Sequence, residues 1–170
     1  MIDENLLEPD CSKCAALCCV SLAFDKSDMF PIDKPNGAPC PQLDKNNGCK
    51  IYDCREAEGY HGCMNFNCQG AGQRVVQDLF GGRNWHFEQS LLNDMTSAFV
   101  ILLRAHELLS LLKAAEALPL TRGELDQFEG FVEELNPEDG WTEALLEAFE
   151  KGKTEKRVYA FLKSLRHHVA

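Results

Sequence analysis

Four cysteines fall within the stretch CSKCAALCCV, residues 11–20: Cys11 and Cys14 as a Cys-x-x-Cys pair, then Cys18 and Cys19 side by side. Five more follow, Cys40, Cys49, Cys54, Cys63 and Cys68, and none occurs after residue 68. Thiolate is a soft ligand that selects zinc, copper(I) or iron–sulfur clusters. A Cys-x-x-Cys turn lets two sulfurs reach one metal while the backbone amides between them offset their charge. Clustered thiols with no secretion signal read as metal-binding or catalytic ahead of disulfide-bonded. Adjacent cysteines point in different directions, so Cys18 and Cys19 suit two separate sites. Eight ligands would make two four-cysteine sites, leaving one of the nine thiols spare.

Other residues carry weaker chemistry. CQGAGQ holds a Gly-x-Gly without the strand and glycine pattern of a nucleotide loop, so it reads as a tight knuckle entering a QRVVQDLF helix, with Gln73 in its first turn. HELLS begins like a zinc-protease motif but ends in Ser110, and His106 lies on an apolar stripe, as a core histidine would. His61 and His86 flank the cysteine segment and are alternative ligands, while His167 and His168 read as solvated. A thioredoxin-type βαβ setting for the Cys-x-x-Cys pair is not apparent, so no catalytic residue is assigned and a non-enzymatic role is favoured.

The elements that must position these thiols differ between the two halves. Five of the seven prolines precede residue 69, and turns such as DKPNGAPCP and DKNNGC break the first half into short segments. VSLAF and CKIY read as short strands, with positive-φ turn chemistry at Asn46-Asn47-Gly48. The second half is periodic at three and four: Phe87, Leu91, Met95, Phe99, Leu103, His106 and Leu109 lie on one stripe that Pro119 ends. Thr121 and Glu124 match a capping box opening a helix with Leu125, Phe128, Val132 and Leu135 on one face. Helices follow around 141–150 and 155–167, the last with Val158, Phe161, Leu162 and Leu165 inward. The expected fold is mainly α: a small irregular metal-bound cysteine lobe with short strands, residues 1–83, followed by a helical bundle, residues 84–170, the two able to form one continuous domain.

The formal charge of −10 is divided equally between the first 80 residues and the rest, and no basic stripe exists for nucleic acid. The acidic start MIDENLLEPD lacks a signal-peptide pattern, and AFVILL is too short to span a bilayer. The reading is a soluble, cytoplasmic protein whose partners are metal ions, with no nucleic acid and no membrane.

CSKCAALCC followed by PCPQLDKNNGCKIY resembles the CxxCxxCC (YkgJ-like) family of zinc- or iron-chelating proteins. Three residues here separate Cys14 from Cys18, where that family has two, and its Arg-Pro and Cys-Arg elements after Ile-Tyr are missing. PIDKPNGAPC and GYHGCMNFNCQGAGQRVVQDLFGGRNW are more closely similar to the N-terminal cysteine region of certain bacterial pentapeptide-repeat proteins, over residues 11–110, without the repeats. That pattern has no cysteine at the position of Cys54. The resemblance thus implies eight metal ligands, Cys11, Cys14, Cys18, Cys19, Cys40, Cys49, Cys63 and Cys68, and implies no reaction. Cys54, beside Arg55, is then a spare thiol. The expected function is zinc or iron held in cysteine-thiolate sites, two zinc ions in a structural role. An iron–sulfur or redox-sensing protein is the alternative.

Overall fold

Proline and glycine before residue 69, and apolar periodicity after it, produce two kinds of backbone in a chain that is mainly helical. The computed structural model describes residues 1–169. Four short helices punctuate the first half: α1 (Glu4–Leu7), α2 (Leu17–Ser21), α3 (His61–Asn65) and α4 (Ala71–Arg74). α4 runs on as a wider π turn, Val75–Leu79. Then come α5 (Leu92–Ala115), α6 (Arg122–Leu135), α7 (Glu143–Lys151) and α8 (Thr154–Ser164).

The short strands expected at VSLAF and CKIY do not form. Val20 and Ser21 belong to α2, and only Phe24 pairs, with Lys34, in an isolated antiparallel bridge. Cys49 pairs with Leu43 in another, and Tyr52 is already in a 3-10 turn. The Phe24–Lys34 ladder is cut after one pair, on one side by α2 and on the other by Pro35, which has no N–H to donate. The turn at 44–48 is as expected: Asn47 has φ 62°, and the Asp44 carboxylate accepts from the amides of Asn46 at 2.7 Å and Gly48 at 2.8 Å.

α5 is the central helix. It buries Met95, Phe99, Leu102, Leu109 and Leu112, with α2 and α4 against it from the first half and α6, α7 and α8 from the second. Each such side chain contributes about 1.5–3 kcal/mol of transfer free energy, so α5 is the main tie between the halves. Ile2, Leu17, Val20 and Val75 join Phe128, Phe161 and Leu165 in one continuous apolar cluster. Phe87 departs from the expected stripe and is 79% exposed, because α5 starts only at Leu92, after a 3-10 turn over Gln89–Leu91. The segment Gln89–Ala115 is long and apolar enough to cross a membrane, a longer apolar run than AFVILL alone indicates. Just over half of its most apolar window is buried within the fold.

The capping box of α6 forms in both directions between Thr121 and Glu124. His106 is buried, as expected for a core histidine. Its Nδ1–H donates to the Gln69 carbonyl at 2.5 Å, and burial pushes its pKa down to about 4, so the ring is neutral. His168 departs from the solvated reading: its side chain packs on Glu124 of α6, while His167 stays exposed. Trp85 is buried and its indole N–H donates to the Ala15 carbonyl at 2.6 Å, pinning the chain between Cys14 and Cys18.

Candidate metal centre

Each cysteine segment is shaped by local backbone rules. Asp10 caps a 3-10 turn, Cys11–Lys13, through the Ser12 amide, and the Cys14 amide closes the turn onto the Cys11 carbonyl at 3.3 Å. Ala16 then takes the left-handed conformation, φ 51°, which redirects the chain into α2 and its Cys18 and Cys19. Gln69, φ 51°, does the same just after Cys68, and Asn47 lies two residues before Cys49. Among the described residues these are all of the non-glycine residues with positive φ. Such conformations cost about 1–3 kcal/mol each and persist where surrounding structure imposes them. All three lie within two residues of a cysteine.

Longer-range bonds bring the segments together. Gln73 of α4 accepts from the Asp10 amide at 2.6 Å and donates to the Glu8 carbonyl at 2.9 Å, and Gln77 donates to the Lys13 carbonyl at 3.1 Å. The Cys11–Cys14 turn is thereby clamped to the helix that follows Cys68. On the other side, the Cys40 amide donates to the Cys19 carbonyl at 2.9 Å, and Cys49 pairs back on Leu43. Gly62, beside Cys63, donates to the Met29 carbonyl at 3.0 Å.

The result is one basin of about 950 Å³ whose wall includes Cys11, Cys14, Cys18, Cys19, Cys40, Cys49, Cys63 and Cys68. Cys54, the ninth, is exposed and outside the wall, and the half-buried His61 and His86 also lie outside it. All nine cysteines are free thiols. The Cys18 and Cys19 sulfurs are 4.0 Å apart. The other thiols ring the basin without closing on a point: among the described residues no three of these sulfurs lie within 4.8 Å of one another.

Each thiol has near neighbours, and they form two groups. Cys11, Cys14 and Cys18 share Cys68 as a neighbour, Cys40 and Cys63 lie near Cys19 and Cys49, and Cys19, which also neighbours Cys11 and Cys18, stands between the two groups. The hydrogen-bonded clamps just described divide the segments in the same way. Amides support individual sulfurs: those of Ala16 and Leu17 point at the Cys14 sulfur, and that of Gln42 at Cys40. Gly72 of α4 lies so close that a Cβ there would stand 2.6 Å from the Cys14 sulfur. Only glycine leaves that sulfur its place.

Burial sets the protonation of the ring. It pushes the thiols of Cys14 and Cys63 up to about 11 and raises Cys11 and Cys40, so without a cation these groups are neutral at pH 7. Cys18 donates to Cys19, which raises Cys18 and lowers Cys19 to about 7, with Lys34 and Arg55 adding to the lowering. Lys34 is only 4% exposed. Its ammonium donates to the carbonyls of Val20 at 3.0 Å, Leu22 at 2.5 Å and Pro35 at 3.2 Å. Three carbonyls can only accept, so three N–H bonds are required and the group is held as a cation. Burial lowers its pKa, and negative charge at Cys40 or Cys19, where it develops, opposes that. Arg55 also lines the basin, its Nε–H donating to the Tyr52 carbonyl at 2.8 Å.

Sequence reasoning did not single out Lys34, Gly72 or Ala16.

Comparison with known proteins is sparse. No family model matches the chain, and no solved structure matches it. A Bacillus subtilis (strain 168) protein named Uncharacterized protein YybG is 36% identical over 116 residues, which cover 68% of this chain and 42% of that protein. The chain is thus similar to part of a bacterial protein of which it spans less than half the length.

Proposed function

We propose that this chain is a non-enzymatic metalloprotein holding two metal centres in all-thiolate sites, zinc in the first instance, as the framework of its first half. One observation carries the reading: eight of the nine cysteines line one basin, and the one outside it is Cys54. The donor set is soft, amides point at Cys14 and Cys40, and buried Lys34 supplies positive charge beside the thiols. The first centre takes Cys11, Cys14, Cys18 and Cys68, and the second Cys19, Cys40, Cys49 and Cys63. Four thiolates close a zinc site and leave no position for substrate, which fits a structural role. The resemblance to zinc- and iron-chelating cysteine-cluster proteins points the same way, and the absence of a basic stripe fits a protein whose partners are metal ions in the cytoplasm.

A second reading, an iron–sulfur protein, is favoured by the spread of the sulfurs. A cluster holds its cysteine ligands farther apart than a single ion does, and a basin of about 950 Å³ has room for one. The test is metal and sulfide analysis of anaerobically purified protein together with its visible spectrum. Two colourless zinc ions per chain is the expected result. Brown protein with acid-labile sulfide establishes the second reading, and anaerobically purified protein free of both metal and sulfide refutes both.

A further inference from the structure

Outside the basin, α6 and the C-terminal turn bring three metal-ligating side chains to one point. The ligand atoms of Glu124, His167 and His168 all lie within 4.8 Å of one another. His168 Nε2 is 3.2 Å from Glu124 Oε1 and 3.1 Å from Oε2, and His167 Nε2 is 3.5 Å from Oε1. Ligands at 2.0–2.1 Å from a tetrahedral zinc ion stand about 3.3–3.4 Å apart, so these separations match the edges of such a site.

The surroundings orient each group toward the shared point. His167 Nδ1 lies 2.9 Å from the Ser164 carbonyl oxygen, which can only accept, so Nδ1 carries the proton. A neutral His167 ring therefore turns the bare lone pair of Nε2 toward a carboxylate oxygen, and two such acceptors repel unless a cation stands between them. Glu124 Oε2 accepts from the Thr121 amide at 2.7 Å and from its hydroxyl at 2.8 Å, which fixes the carboxylate plane. These bonds hold the Glu124 pKa down to about 2, so it is ionised throughout the neutral range. The His168 side chain is 9% exposed, and its ring lies 3.9 Å from that of His167. A backbone carbonyl behind one ligand and a helix cap behind another are the outer contacts that ligating histidines and carboxylates use.

We propose that Glu124, His167 and His168 form a second kind of metal site, a two-histidine, one-carboxylate site for a divalent transition ion such as zinc or nickel, with water in the remaining position. Imidazole and carboxylate suit these ions, and three protein ligands with an open position make a more exchangeable site than four thiolates. The site is independent of the cysteines and of any reading of them.

The experiment is zinc titration of the full chain at pH 7.5, followed by long-range nitrogen–proton spectra of the histidine rings, which report each ring separately from any thiol. Zinc is expected to move the Nε2 resonances of His167 and His168 while leaving their Nδ1 protons in place, with His106 unmoved. His167→Ala, at a position whose side chain is 59% exposed, is expected to weaken the His168 response at least tenfold. If both rings ignore millimolar zinc and move only on acidification, the occupant is a proton and the site is overturned. An unchanged His168 response in His167→Ala overturns the three-ligand assignment.

Discussion

The Cys18 and Cys19 sulfurs lie 4.0 Å apart on consecutive residues of α2, yet Cys18 neighbours Cys14 and Cys68, while Cys19 faces Cys40 and Cys63. Two centres built this way share a seam one peptide wide. Distortion at either centre reaches the other through a single turn of helix.

Division of the ligands gives the most direct prediction. Cys14→Ser and Cys49→Ser should each remove one metal per chain, and their combination both, by native mass spectrometry. Cys54→Ser should remove none. Two metals lost from either single mutant would mean a single joined centre.

Gly72 offers a test that leaves every thiol in place. Gly72→Ala puts a methyl group where the Cys14 sulfur needs room, 2.6 Å from its present position. Alanine in a helix is otherwise favourable by about 1 kcal/mol, but the clash with Cys14 strains the fold with or without metal, so the discriminating measurement is metal affinity and not overall stability. The expected outcome is at least tenfold weaker binding at the first centre alone, measured by chelator competition.

Lys34→Met removes the buried ammonium but keeps the length of the side chain. Three carbonyls then lose their donor, at about 1–3 kcal/mol for each that stays buried and unsatisfied. The protein should be destabilised by several kcal/mol in denaturant titration, and the second centre should bind metal more weakly than the first. Equal weakening of both would show that Lys34 acts through the fold and not through charge.

The pH dependence has opposite signs with and without metal. In the metal-free fold Cys14 and Cys63 have pKa values raised from 9.0 to about 11, so their contribution to stability is present below pH 9 and is lost as pH rises toward 11. Metal binding must displace those protons, so affinity rises with pH across the neutral range. With most ligands protonated at pH 7, the logarithm of affinity should climb by ~3–4 per pH unit for each four-thiolate site. Calorimetry in buffers of different ionisation enthalpy counts the protons released. A slope near zero would show that the thiols are not ligands.

The helical half was legible in the sequence because its signals are local. The Thr121–Glu124 box and the inward Val158, Phe161 and Leu165 need only the 3.6-residue period and one cap to be read. Phe87 was misplaced because periodicity does not say where a helix begins, and here a 3-10 turn delays it to Leu92. The cysteine half was legible in composition and not in path. Nothing in VSLAF announces that α2 takes Val20 and Ser21, since alternation over five residues fits one helical turn as well as a strand. Lys34 escaped notice because its partners are the backbone carbonyls of Val20, Leu22 and Pro35, and carbonyls leave no mark on a sequence.

The bond from the Trp85 indole to the Ala15 carbonyl has a practical side. Trp85 sits against the loop that joins Cys14 to Cys18, while the other tryptophan, Trp141, is buried beside Phe149 in the helical half. The protein therefore carries two intrinsic fluorophores, and Trp85 is the one hydrogen-bonded to the cysteine segment. With Trp141→Phe, emission from Trp85 alone is expected to report any metal binding in the cysteine basin in real time, without label or chromophoric chelator.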